Sequence, residues 1–293
     1  MLEILYKITS IFKIQKHVYF FAYMCSNIVA NILYVNYYKI FYRYLKKSGV
    51  KISNLEPEYV VSLTSFPGRI NAVAVCIETI MRQTMLPDRI ILWLSRDQFS
   101  NSNLLPKELI HLKSRGLEIR FCEDLRSHKK YFFAMQEFPN SVVITMDDDV
   151  LYPRKTLERL IEQHKSTPDN ICCNIASFYD RNSPYVDWLR VESKFVLRSE
   201  ELVPIGVGGV LYPAGSLSKM VFNEEDVRLL CPHTDDLWLK VMSMINKTKI
   251  TYCGEFPTLF TIFKTQSENL GDENTLRNDL ELANILKKYE KFI

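Results

Sequence analysis

Six apolar or small residues, Ser141-Val142-Val143-Ile144-Thr145-Met146, run straight into three aspartates, Asp147, Asp148 and Asp149. A short apolar run without alternation predicts a strand covered on both faces. Three adjacent carboxylates at its end repel one another, and leaving them unpaired is costly. Few folds tolerate that combination. An open α/β sheet does, because its ligands bind in the crevice beyond the carboxyl ends of the strands. A divalent cation would resolve the repulsion, and Mg²⁺ or Mn²⁺ takes one or two carboxylates together with phosphate oxygens and water. The competing reading is a solvated acidic turn that complements the dipole of the next helix.

The surrounding pattern supports the sheet. Tyr59-Val60-Val61-Ser62-Leu63-Thr64 is a β-rich run closed by Ser65-Phe66-Pro67-Gly68, after a turn-like stretch from Ser53 to Pro57. Residues 70–83 carry helical spacing through Val73, Ile77 and Ile80, and Pro87-Asp88 precedes a second strand from Arg89 to Leu94. A helix from about Pro106 to Ser114 starts on proline and ends before Gly116, the usual asymmetry. A third strand, Leu117 to Cys122, and a short helix, Tyr131 to Glu137, precede the run that ends on the aspartates. Another helix begins near Pro153, and Asn278 to Phe292 reads as an amphipathic helix. Apolar strands alternating with helices predict a mostly parallel, Rossmann-like sheet flanked by helices.

At this point the chain resembles the GT-A glycosyltransferases, and most closely the family-2-like enzymes of bacterial capsule and lipopolysaccharide synthesis. Val142 to Asp149 is similar to their hydrophobic-strand-plus-DxD signature. Val60 to Ile70 looks like their nucleotide-binding opening strand, and Gln83-Thr84 with Pro87-Asp88-Arg89-Ile90 looks like the passage that follows it. The likeness covers roughly residues 58–250. It implies a metal-dependent transfer of a sugar from a nucleotide-sugar donor, UDP-sugar favoured, to a glycan or lipid-linked acceptor in cell-surface polysaccharide synthesis. It also implies that Asp147 contacts ribose or metal, that Asp149 binds Mn²⁺ or Mg²⁺, and that Asp148 lies beside them on the nucleotide side. Thr64, Ser65 and Arg69 would lie near base and ribose. Within Ser127-His128-Lys129-Lys130-Tyr131, Lys129 or Lys130 would meet the diphosphate or sugar, and spacing does not separate the two. His128 reads as a surface histidine.

Three of the nine glycines fall in Pro204-Ile205-Gly206-Val207-Gly208-Gly209-Val210. They permit a close approach of backbone to ligand or a tight bend, and the resemblance puts Gly208 and Gly209 beside the donor sugar. Thr234-Asp235-Asp236 opens an apolar helix, which is ordinary capping chemistry. In the resembling enzymes, an acidic pair here deprotonates the acceptor hydroxyl of an inverting transfer. That implies Asp236, or else Asp235, as base, with His233 a second choice. Trp188 and Trp238 are either sugar-stacking or core residues. The lid and third metal ligand of such enzymes would fall around Thr265-Gln266-Ser267 and Asn269-Leu270, where no ligand is identifiable.

Residues 1–51 form a distinct segment, set against a domain over 52–293. Eight of its side chains are Lys or Arg and one, Glu3, is acidic, so it carries +7 and leaves −4 for the rest of a chain of net charge +3. That asymmetry excludes a uniformly basic nucleic-acid binder. No Lys, Arg, Asp or Glu occurs from His17 to Tyr38. The run is long enough to span a bilayer, which takes ~20 residues, but Asn27 and Asn31 interrupt it and its tyrosines suit a headgroup interface. Basic flanks around an aromatic stretch point to an anionic membrane surface; a single span and a helical extension packed on the domain remain open. Seven scattered cysteines, with no C-x-x-C pair, suggest reduced thiols. With the resemblance, these features imply a cytoplasmic enzyme, peripheral or monotopic on the inner face of the plasma membrane.

Three rival readings compete. A haloacid-dehalogenase-like phosphatase carries its D-x-D on the first strand, whereas three strands precede this one. A sugar-phosphate nucleotidyltransferase expects a glycine-rich, basic opening loop, of which Ser65 to Arg69 is a poor version. A membrane-associated scaffold leaves the aspartates unexplained.

Overall fold

The structure, a computed structural model, describes residues 1–11, 16–51, 57–99, 105–263 and 271–293. Residues 53–56 of the turn expected over Ser53 to Pro57, and the lid region from Thr265 to Leu270, lie outside the described residues.

Helices α1 (Leu2–Ile11), α2 (Lys16–Ala30) and α3 (Asn36–Phe41) come first, the last two joined by a π-helical turn at Asn31–Val35. Strands and helices then alternate: β1 (Tyr59–Thr64), α4 (Ile70–Met81), β2 (Arg89–Ser95), α5 (Lys107–Lys113), β3 (Leu117–Cys122), α6 (Lys129–Glu137) and β4 (Val142–Thr145). The second half is built of shorter pieces. It runs through β5 (Val150–Leu151), α7 (Thr156–Ser166), β6 (Ile171–Cys173), β7 (Ala176–Phe178), β8 (Leu197–Ser199) and β9 (Leu202–Pro204). It closes with β10 (Val210–Tyr212), α8 (Glu224–Leu230), α9 (Asp235–Ile245), β11 (Ile250–Tyr252), β12 (Phe260–Thr261) and α10 (Gly271–Tyr289).

Eight strands form one sheet in the order β3-β2-β1-β4-β10-β6-β11-β8. The first four are parallel, and β10 and β8 run against their neighbours. Successive side chains of a strand point to opposite faces, and the core follows that rule. Val61, Leu63, Ile90, Leu92 and Ile144 pack under α4, α5 and α7; Val60, Ile91, Trp93 and Val143 pack under α6. Helices α9 and α10 cover the far half. The architecture is a mixed α/β layer structure on a mostly parallel sheet. Because the chain leaves β1 toward β2 and β3 and then returns to β4, its direction reverses between β1 and β4. A crevice opens at the carboxyl ends of those two strands.

The N-terminal helices are fastened to this body by their polar groups. Asn31 donates from its amide to the Thr261 carbonyl at 2.8 Å and accepts the Phe263 N–H at 2.8 Å, as a neighbouring strand residue would. One turn earlier Asn27 donates to Thr261 Oγ1, and another turn earlier the Tyr23 hydroxyl donates to the Leu259 carbonyl. The stripe at 23, 27 and 31 therefore covers the free edge of β12, which would otherwise expose unpaired backbone groups. Tyr34, Tyr38 and Tyr42 are buried on the same side. These three tyrosines pack inward, while Tyr37 and Tyr44 of the same stretch are exposed. In α1, the Tyr6 ring stacks on Phe260 at 4.2 Å while its hydroxyl donates to the Leu151 carbonyl and accepts the Phe260 N–H.

Tyr6→Phe leaves those two buried backbone groups without their partner. Loss of one such partner costs about 1–3 kcal/mol, so the urea midpoint is expected to fall with an unchanged slope; an unchanged midpoint would show that the clamp contributes nothing.

Candidate active site

The crevice at the ends of β1 and β4 is a cavity of about 490 Å³, within the usual range for small-molecule sites. Its walls include Thr64, Ser65 and Arg69 after β1, Lys129 and Lys130 at the start of α6, Asp147 and Asp148 after β4, and Asp235 and Asp236 at the start of α9. Side chains separated by up to 172 positions are thus gathered by the sheet's switch of direction.

The aspartate bend is pinned by its backbone. Asp147 donates its N–H to the Tyr152 hydroxyl at 2.9 Å, and its carbonyl accepts the Cys76 thiol. The Asp149 carbonyl accepts the Ile262 N–H at 2.8 Å, next to β12. The side chains are charge-balanced. Arg69 Nη1 lies 3.0 Å from both Asp148 Oδ1 and Asp149 Oδ2, and Ser65 Oγ donates to Asp148 Oδ2 at 2.6 Å. Burial nevertheless raises the Asp148 carboxyl above its ordinary range, with Arg69 and Ser65 opposing it.

The two lysines, indistinguishable by spacing, diverge at the helix start. Lys129 pairs with Asp124. Lys130 reaches across the cleft: its Nζ lies 2.8 Å from Asp147 Oδ1 and 2.9 Å from Asp235 Oδ2. Burial disfavours its charge, but Asp147 and Asp235 outweigh burial and hold it firmly protonated. Its position is set from β1, where Ser62 Oγ donates to the Lys130 carbonyl and accepts the Trp93 indole N–H at 3.0 Å.

Asp235 and Asp236 are adjacent but differ. Burial opposes ionisation of Asp235, and Lys130 beside it outweighs that and lowers its pKa. Asp236 lacks so close a cation. Burial, followed by repulsion from Asp235, pushes it up to about 7. Its Oδ2 accepts the Gly206 N–H at 2.9 Å.

That last contact relocates the role of the glycine-rich stretch. Gly208 and Gly209 are not among the cleft-lining residues. A Cβ on Gly208 would strike Ile175 at 2.6 Å, and Gly209 holds φ +82, so both serve the bend. A Cβ on Gly206 would meet Asp236 Oδ1 at 2.9 Å and Lys130 Nζ at 3.4 Å. Sequence reasoning missed Gly206 because its neighbour lies 30 positions away. It also missed Asp124 and Arg126, which line the cleft; Arg126 has φ +50, unusual for a side-chain-bearing residue.

His128 corrects an expectation. It is fully buried, with Nε2 2.7 Å from the Cys231 carbonyl and Nδ1 3.0 Å from the Tyr131 hydroxyl, and burial lowers its pKa to about 4. The short turn before α6 rotates it inward among α8 and α9 neighbours instead of outward to solvent. His233 lines the cleft with its Nδ1 2.7 Å from Glu281 Oε1. Both tryptophans are core residues: Trp238 is fully buried and donates to the Val221 carbonyl, and Trp188 donates to the Asp180 carbonyl.

The carboxylates suit a hard divalent ion by their chemistry. Asp147 faces the cleft, and Asp149 sits at the same strand end. Among the described residues no three His, Cys, Asp or Glu side chains converge as a ready-made cage.

No known family's sequence profile matches the chain, and no curated protein sequence matches it. Its fold is similar to that of "Mannosyltransferase PcManGT from Pyrobaculum calidifontis in complex with GDP-Man and Mn2+", at a TM-score of 0.51 and 12% identity over 98% of this chain and 76% of that one. The fold is therefore of the GT-A-like, Rossmann-related kind.

Gly206→Ala is expected to leave the melting temperature within a few degrees while displacing Asp236 and Lys130. The displaced Asp236 carboxyl gives up the Gly206 N–H, one of the contacts that lower its pKa, so its titration, followed by carboxyl-carbon NMR, is expected to move to higher pH; an unmoved titration would show that the side chains do not shift.

Proposed function

We propose that the protein is a metal-dependent glycosyltransferase that takes its sugar from a nucleotide-sugar donor. The observation that carries this reading is Lys130. Its ammonium ties Asp147, on the strand-end side, to Asp235, next to Asp236, within one cleft. A group transfer between two bound partners needs such an arrangement, with anion handling on one wall and a proton acceptor on the other. The mannosyltransferase of similar fold, recorded with GDP-Man and Mn²⁺, supports the same reading.

In this reading Asp147 and Asp149 would hold the divalent ion. When bound, that ion supplies charge neutralisation for the nucleoside diphosphate as it leaves. Arg69 and Lys130 pair with the crowded carboxylates and orient them. Asp236 is the base. Its carboxylate takes the proton of the acceptor hydroxyl as that oxygen bonds to the anomeric carbon. The bond from that carbon to the diphosphate oxygen breaks, and the electron pair leaves with the diphosphate. Direct displacement of this kind inverts the anomeric centre. Asp236 fits the role better than Asp235, because a base works best with a pKa near the operating pH, and Asp235 is committed to Lys130.

Thermal melts of the full chain with UDP, GDP, CMP or dTDP, each with and without Mn²⁺, test the donor site. Ligand at a hundredfold excess over its Kd stabilises by about 2.7 kcal/mol. A Mn²⁺-dependent rise with one nucleotide, lost in Asp149→Ala, is expected; no rise with any of them, on folded protein, would remove the reading.

The acid limb of kcat/KM tests the base. Asp236 must be unprotonated to accept the proton, so kcat/KM is expected to rise with pH through about 7. Asp235→Asn removes the like charge that helps raise it, and the limb then moves to lower pH. A limb that stays in place would assign the titration to another group.

A further inference from the structure

The helical stretch from Val18 to Tyr44 is inverted relative to an ordinary surface helix. Its polar groups, Tyr23, Asn27 and Asn31, face the protein and are hydrogen-bonded there. Its apolar side chains face away. Phe20, Phe21, Ile32 and Ile40 are 64%, 70%, 53% and 65% exposed, with Met24 and Ile28 on the same side. Soluble proteins rarely leave so continuous an apolar stripe uncovered. Exposed Lys39, Arg43, Lys46 and Lys47 follow at its C-terminal end, and Lys7 lies on α1.

We propose that this outward face docks on an anionic lipid bilayer and lies in its plane. An apolar stripe bordered by exposed lysine and arginine matches the acyl–headgroup boundary of such a surface, where both terms act together. The helix measures about 40 Å at 1.5 Å per residue, enough to cross a hydrocarbon core of about 30 Å. It is nevertheless bonded to the body at Leu259, Thr261 and Phe263, and Tyr38 and Tyr42 are buried further along. A helix held to a folded domain along its length cannot also pass through the membrane, so it lies flat. This inference is independent of the transferase reading, since it uses none of the cleft residues.

Flotation of the full chain with vesicles tests it. Binding to phosphatidylcholine–phosphatidylglycerol vesicles is expected to exceed binding to phosphatidylcholine alone and to weaken with salt. The Phe20→Glu/Phe21→Glu/Ile32→Glu variant, whose changes are all at exposed positions, is expected to keep its melting temperature and lose at least ~10-fold in partitioning. Lys39→Gln/Lys46→Gln/Lys47→Gln is expected to lose the preference for anionic vesicles. For depth, a bimane is placed on the exposed Cys25, or at position 40 in Cys25→Ser/Ile40→Cys, with brominated-lipid quenching. Equal, shallow depths at both positions support the in-plane arrangement, and depths differing by roughly 20 Å, the helical rise between them, overturn it. Failure to float with either vesicle overturns the proposal. So does a dimer in light scattering that the apolar triple variant dissociates while vesicle binding is absent, which would assign the face to a second copy.

Discussion

Five carboxylates crowd one end of this sheet, and the site rests on how their repulsion is met. Asp147, Asp148 and Asp149 arrive from β4, Asp235 and Asp236 from α9, and two cations stand among them. Neither cation can be a loosely held surface lysine or arginine, since a partly desolvated pair depends on good geometry and further bonds. Arg69 is accordingly seated against Phe66 and bridges two carboxylates, and Lys130 is anchored through its own carbonyl to Ser62. Four basic side chains (Arg69, Arg126, Lys129 and Lys130) line the cleft against five acidic ones (Asp124, Asp147, Asp148, Asp235 and Asp236), so its lining is close to balanced when all are ionised. The raised pKa of Asp236 reflects its burial first and then repulsion from Asp235.

The division of labour within each acidic group follows from this. Asp148, in the cleft wall, is held by Ser65 and Arg69 and so helps lock the bend from which its neighbours project. Asp235 likewise holds Lys130 in place, whereas the adjacent Asp236 accepts the Gly206 N–H and keeps a raised pKa.

Much of the fold was legible from residue pattern, and the reason is local. β1 coincides with the apolar run Tyr59–Thr64, because an inner strand of a parallel sheet is apolar throughout, and the edge strand β3 coincides with Leu117–Cys122, whose Glu118 and Arg120 are only partly buried. The two- and three-residue strands of the second half were not legible, since β5 and β12 exist only because residues more than a hundred positions apart meet. The candidate site divides similarly. The aspartates, Arg69 and both lysines announce themselves by charge at strand and helix ends. Gly206 carries no chemistry of its own and matters through the carboxylate it accommodates. His128 sits among charged residues in sequence, yet one helical turn decides which of them face inward. The N-terminal asparagines read as interruptions of an apolar run because their partner, the edge of β12, is invisible from local sequence.

That partner also sets an order of events. Thr261 lies 230 positions after Asn31. At about 5–20 residues per second, a ribosome takes roughly 10–50 s to supply it. For that interval the polar stripe of the first helices has no edge strand to bond, although the outward stripe is already complete. The apolar surface is thus made well before the strand that, among the described residues, converts those helices from a free amphipathic segment into part of the body.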